Sequence, residues 1–129
     1  MRIMPKKILV VEDFEDSRYF LKYMLEKMGY EVLQAEDGQE AIQMVKYNPP
    51  DLIIMDIALP VIDGLTATRY IRENLDQDAK IPIIAFTASG QAIYKDAISA
   101  GCDMLLSKPL EIEKLQPALE KYLPVSQAL

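Results

Sequence analysis

Asp56 closes the apolar run Leu52-Ile53-Ile54-Met55, and the chain continues through Ile57-Ala58-Leu59-Pro60-Val61-Ile62-Asp63-Gly64, a loop punctuated by Pro60 and Asp63-Gly64. A carboxylate at the tip of a buried strand is placed for chemistry. Three further apolar runs also end in polar residues: the first in Glu12-Asp13, the fourth in Thr87-Ala88-Ser89, the fifth in Ser107-Lys108-Pro109. Open α/β sheets bind ligands beyond the carboxyl ends of their strands, so three carboxylates, a hydroxyl and an ammonium would converge on one rim.

Two like unit charges about 4 Å apart repel by roughly 4 kcal/mol at an effective dielectric near 20. A cluster of three carboxylates therefore calls for cations. Lys108 supplies one charge, and a divalent ion held by carboxylate oxygens, a carbonyl and water would supply two more, a donor set that suits Mg2+ better than zinc or copper. The same neutralisation makes a nucleophile usable. A carboxylate is ionised at neutral pH and needs no base, but attack on a phosphoryl group requires the charge on both partners to be screened. A metal, Lys108 and the Thr87 hydroxyl are the right kinds of group to hold three phosphoryl oxygens.

The elements that must position these residues are legible as alternating runs. Ile8 to Val11, Glu31 to Ala35, Leu52 to Met55, Ile81 to Phe86 and Met104 to Leu106 read as five strands separated by amphipathic segments, the pattern of a βα protein with a parallel sheet. The alternating Glu31-Val32-Leu33-Gln34-Ala35 reads as a half-exposed edge strand. A first helix from about Asp16 to Met28 carries Leu21, Met24, Leu25 and Met28 and stops at Gly29. Ala41, Ile42 and Val45 mark a second helix, ending before Asn48-Pro49-Pro50; Leu65, Thr68, Ile71 and Leu75 mark a third; Ile93, Ala97 and Ala100 mark a fourth, closed by Gly101; Ile112, Leu115, Leu119 and Tyr122 mark a fifth.

At 129 residues the chain is expected to be one domain with its own core. A net charge of −6 without a Lys/Arg cluster opposes direct nucleic-acid binding, and the count of zero histidines excludes serine–histidine hydrolysis. No apolar run approaches the roughly 20 residues of a membrane span and the N-terminus lacks a secretory h-region, so a cytoplasmic protein with no membrane partner is expected. Cys102, beside Ala100-Gly101, reads as a small buried filler. Glu15 and Asp16 read as first-turn helix charges.

At these residues the chain resembles the receiver domains of two-component response regulators. The resemblance covers essentially all of residues 6 to 123 and rests on Glu12-Asp13, Asp56 with Leu59-Pro60 and Asp63-Gly64, Ile83-Ile84-Ala85-Phe86-Thr87-Ala88, Ala100-Gly101-Cys102-Asp103 and Lys108-Pro109. It implies an α/β fold: a doubly wound, flavodoxin-like, five-stranded parallel sheet of order 2-1-3-4-5 with five helices, forming a single receiver domain over 1–129 with short loose termini. It implies that Asp56 is the phosphoacceptor, that Asp13 binds Mg2+ directly with Glu12 acting through water, and that the Ala58 backbone carbonyl completes the site. Thr87 would move onto the phosphoryl group, Lys108 would be its charge partner, and the Lys108-Pro109 bond would be cis.

Leu105 occupies a position commonly aromatic in the family, where it would relay the switch to the face of the fourth helix, fifth strand and fifth helix. Ala58 and Ser89 stand where side chains tune dephosphorylation. Implied partners are a histidine kinase or histidine phosphotransfer protein and a downstream effector, met by a monomer or weak homodimer. The activity is that of a signalling switch acting on itself rather than of an enzyme with a free substrate. A diffusible regulator, a relay intermediate and a receiver from a larger protein all remain open.

Two other classes compete. A haloacid-dehalogenase-type Mg2+ phosphatase also uses a strand-end aspartate, but it wants a second aspartate where this chain has Ala58. A flavodoxin-like flavin carrier wants a Ser/Thr/Gly-rich phosphate loop where Glu12-Asp13-Phe14-Glu15-Asp16 would repel a phosphate. An EF-hand fails for want of glycine and glutamate at the required loop positions.

Overall fold

The computed structural model describes residues 4–88 and 90–124. Five strands, β1 (Lys7–Val11), β2 (Glu31–Ala35), β3 (Leu52–Asp56), β4 (Ile83–Thr87) and β5 (Met104–Ser107), form one parallel sheet of order β2-β1-β3-β4-β5. Between them run α1 (Glu15–Lys27), α2 (Gly38–Tyr47), α3 (Gly64–Tyr70), α4 (Tyr94–Ala100) and α5 (Ile112–Tyr122). The expected architecture is the observed one, with β2 at an edge. No helix among the described residues is long and apolar enough to cross a membrane.

Strand alternation divides the core in two. Ile8, Val10, Leu52, Ile54, Ile84 and Phe86 pack against Leu21 and Leu25 of α1 and Leu115 and Leu119 of α5. Leu9, Val11, Ile53, Met55, Ile83 and Ala85 pack against α2, α3 and α4 through Ala41, Val45, Leu65, Ile71 and Ala97. The central strands β3 and β4 are buried at every position, whereas β2 is half-exposed. Apolar runs covered on both faces and an alternating edge follow from that layering.

Three boundaries differ from the sequence expectation. β4 begins at Ile83 rather than Ile81, because the Ile81 N–H is already donated to Asp76 Oδ2 (2.9 Å) and Pro82 has no N–H to add to a ladder. The third helix is not continuous: after Tyr70 it widens into a π-helical turn over Ile71–Leu75, closed by Asp76 N–H to Ile71 O at 2.7 Å. The fourth helix starts at Tyr94, after a 3-10 turn over Gly90–Ile93, and ends at Gly101 with φ 114.

The loop after β3 is held tightly. Gly64 N–H donates to Ile57 O (2.9 Å), and a side chain at Gly64 would collide with the Asp56 backbone carbonyl, which is why the Asp63-Gly64 pair stands there. Asp63 caps α3 by accepting from Thr66 N–H at 2.9 Å. Ahead of Asp63, Val61 adopts φ 68, with Ile62 N–H bonded back to Pro60 O at 2.8 Å.

Candidate functional site

Parallel register brings the polar strand ends together. Val11 faces Met55, Asp56 faces Phe86 and Thr87 faces Ser107, so Glu12, Asp56, Thr87 and Lys108 lie within one residue of a common level across four adjacent strands. The ends of β1 and β3, where the sheet reverses its winding, form the middle of that rim.

Asp56 is 1% exposed, Glu12 is 1% exposed and Thr87 is buried, while Asp13 lies at the surface. One carboxylate oxygen from each of Glu12, Asp13 and Asp56 lies within 4.8 Å of the others. Asp56 Oδ1 accepts the Ala58 N–H at 3.0 Å, and its Oδ2 accepts from Lys108 Nζ at 2.9 Å. Lys108 Nζ also lies 3.6 Å from Glu12 Oε1 and 5.2 Å from the centroid of the Phe86 ring, so the ammonium is braced on an aromatic floor. Glu12 Oε2 accepts the Phe14 N–H at 3.2 Å. The Lys108-Pro109 bond is cis and the Lys108 N–H donates to Thr87 O at 2.9 Å, tying the ammonium-bearing turn to the end of β4.

The electrostatics register the crowding. Burial, reinforced by a hydrogen bond to Asp56, pushes the Glu12 carboxyl up to about 7 against the opposing pull of the Phe14 N–H. Burial draws the Lys108 ammonium down, but Asp56 and Glu12 outweigh it and leave its pKa raised. Among the described residues, Lys108 is the one cation ion-paired within this trio of carboxylates, and it reaches the two that are out of water, Asp56 and Glu12. The donor set is all oxygen, with one ligand reaching solvent, which fits a hard divalent cation such as Mg2+.

Beside this cluster, α1 and the turn after β5 flank an open pocket of about 370 Å³, lined by Ser17, Phe20, Leu21, Phe86, Pro109 and Leu110 together with Glu12 and Lys108. Leu105 is half-buried against the α2–α3–α4 layer. Ser89 lies outside the described residues. Glu15 and Asp16 fall in the first turn of α1 as expected, and Cys102 is buried, 3.9 Å from Thr68 Oγ1.

Sequence reasoning passed over two groups. Phe86, the ring beneath Lys108, read only as a strand residue. Arg18, which the sequence pattern did not single out, is 5% exposed and donates from Nη1 to the Glu12 backbone oxygen at 3.0 Å. Its position on the inward stripe with Leu21 and Leu25 was the available signal.

The family model described as the response regulator receiver domain matches residues 8–120. The polar-differentiation response regulator DivK of Brucella anthropi is 34% identical over 121 residues, spanning 93% of this chain and 98% of the relative. The receiver domain of the sensor histidine kinase PA1611 from Pseudomonas aeruginosa, solved with a magnesium ion coordinated in its active-site cleft, aligns with a TM-score of 0.83 at 35% identity, covering 92% of this chain and 98% of that one. A co-crystal of the Saccharomyces cerevisiae histidine phosphotransfer protein Ypd1 with the receiver domain of Ssk1 contains a chain that aligns with a TM-score of 0.84 at 30% identity, covering 94% of this chain and 91% of that one.

Proposed function

The chain belongs to the response regulator receiver domains, and on that premise we propose that it takes a phosphoryl group from a partner's phosphohistidine onto the carboxylate of Asp56. The observation that carries this reading is the convergence of one buried carboxylate, an ammonium 2.9 Å from it and two further carboxylates on a single rim. The Asp56 carboxylate attacks phosphorus. An O–P bond forms, the donor's N–P bond breaks, and the electron pair leaves on the imidazole nitrogen, which takes up a proton. Asp56 needs no base, consistent with a chain that has no histidine.

Asp13 and Asp56 would hold Mg2+ directly, with Glu12 acting through water and the Ala58 carbonyl completing the set, as the magnesium in the PA1611 receiver supports. When bound, the ion screens the charge on the phosphoryl group and on its attacker. Lys108 stays braced between Asp56 and the Phe86 ring and meets a phosphoryl oxygen, while Thr87, at the end of the neighbouring strand, reaches another. Dephosphorylation would be self-catalysed, with small Ala58 leaving water access open. Residues 1–129 would form a single receiver domain, exchanging its phosphoryl group with a histidine kinase or a phosphotransfer protein such as the one crystallised with Ssk1, and acting on a downstream protein.

The competing readings have no comparable support. The residue two after Asp56 is Ala58, which offers a backbone N–H but no carboxylate, and the loop after β1 presents Glu12 and Asp13 where a flavin phosphate would sit. The test is intact mass after incubation with acetyl phosphate and Mg2+. Wild type gains one phosphoryl group and Asp56→Asn gains none. A wild type that gains nothing overturns the reading, and an Asp56→Asn protein that gains one moves the acceptor elsewhere.

A further inference from the structure

Arg18 is the most deeply buried cation near the site, and the chemistry above does not use it. It is 5% exposed, on the inward stripe of α1, and no carboxylate lies within ion-pair distance of it among the described residues. An arginine remains charged at any working pH, so a buried unpaired guanidinium needs its donors satisfied by fixed oxygens. Nη1 donates to the Glu12 backbone oxygen at 3.0 Å, Nε donates to Gln34 Oε1 on β2 at 3.2 Å, and the guanidinium carbon is 5.4 Å from the Tyr19 ring centroid.

The oxygen that Arg18 holds belongs to the peptide joining Glu12 to Asp13. On the other side of Glu12 the backbone is fixed as well, by Glu12 N–H to Ala35 O at 3.1 Å. Rotation of the Glu12–Asp13 peptide would swing the Asp13 side chain relative to Asp56, and the rigid guanidinium fork, anchored at both β1 and β2, opposes that rotation. We infer that Arg18 is a positioning residue for the divalent-cation site, acting through the Glu12–Asp13 peptide to set the spacing of the two aspartates. The inference rests on the receiver reading of that site.

Arg18→Lys separates geometry from charge, since it keeps the positive charge and loses the two-pronged donor. The variant, wild type and Leu25→Ala, a core truncation on the same helix, are titrated with Mg2+ by calorimetry in the unphosphorylated state, and their melting temperatures are recorded in EDTA. Arg18→Lys binds Mg2+ about tenfold more weakly, as loss of a group that orients a metal ligand commonly does. Leu25→Ala melts earlier with its affinity unchanged. With acetyl phosphate, Arg18→Lys needs more Mg2+ to reach half-maximal phosphorylation and regains most of its rate at saturating Mg2+. An Arg18→Lys protein that melts earlier but binds Mg2+ within twofold of wild type overturns the role and leaves Arg18 a helix anchor. Wild type that binds no Mg2+ overturns the receiver reading itself, and the inference with it.

Discussion

Lys108 Nζ lies 2.9 Å from Asp56 Oδ2 and 3.6 Å from Glu12 Oε1, so a single ammonium bonds one buried carboxylate and neighbours a second. Lys108→Met keeps most of the apolar stem and removes the charge, leaving Asp56 without its cation. In EDTA the variant should unfold with a loss on the order of 1 to 2 kcal/mol, well below the cost of breaking a fully buried pair because Lys108 is about one-third exposed. Urea unfolding measures that loss. Phosphorylation by acetyl phosphate should slow by at least about tenfold, since a preorganised cation facing the developing charge is gone. A rate within twofold of wild type would remove Lys108 from the phosphoryl site.

Asp13 tests the metal. It is the exposed member of the acidic trio, within 4.8 Å of two buried carboxylates, and neutralising it relieves repulsion on the order of 1 kcal/mol. Asp13→Asn should therefore melt a few degrees higher than wild type in EDTA. Wild type should gain stability on addition of Mg2+ while the variant gains little, because a cation that binds only the folded state stabilises it by mass action. Paired melting curves with EDTA and with Mg2+ decide the point. An Asp13→Asn protein that responds to Mg2+ as wild type does would place the ion elsewhere.

Much of this site is legible in the sequence because parallel strands covered on both faces must be apolar, so Glu12, Asp56, Thr87 and Lys108 stand out as the polar residues that end them. The register that brings them level follows from the strand order, which the family resemblance supplied. Arg18 was hidden by its type: a charged residue in an amphipathic helix reads as solvated, and only its phase with Leu21 and Leu25 says otherwise. The π-helical turn was hidden too, since Ile71 and Leu75 have ordinary i, i+4 spacing. What occupies that turn is long-range: Arg72 reaches Asp76, Asp103 and the carbonyls of Gly101 and Ile81, partners up to 31 residues away. Nor does local pattern announce Val61 at φ 68, a conformation that β-branched residues rarely adopt.

Burial raises the Cys102 thiol from its ordinary 9.0 to about 11, with Thr68 and Arg72 pulling weakly the other way. The folded protein thus keeps the proton that the unfolded chain releases near pH 9, and stability falls as pH rises from about 9 to about 11. Cys102→Ala should flatten that fall by something on the order of 2 kcal/mol, read as the difference in urea midpoints between the two proteins across the interval. At pH 8 the native thiol should resist iodoacetamide and react once urea unfolds the chain. Prompt modification of native protein would show that the Cys102 environment is open.

Thr87 and Leu105 share the side of the sheet away from Lys108. Ala85, two residues before Thr87 on β4, faces Leu105 across the ladder, and both pack with the α2–α3–α4 layer, whereas Phe86 belongs to the opposite layer with α1 and α5. Movement of Thr87 toward a phosphorylated Asp56 would therefore withdraw a group from the layer that Leu105 supports. Leu105 lacks the planar ring and polar tip that would make such a change two-state, so the expected response is a graded repacking of α4, β5 and the start of α5. Amide spectra recorded with and without acetyl phosphate and Mg2+ should show shifts reaching residues 90–115 in wild type. Thr87→Ala should confine them to the loops around Asp56 while the acceptor still gains mass. Shifts that stay in those loops in wild type itself would mean that Leu105 relays nothing, and that the output must leave through the loop bearing Val61 instead.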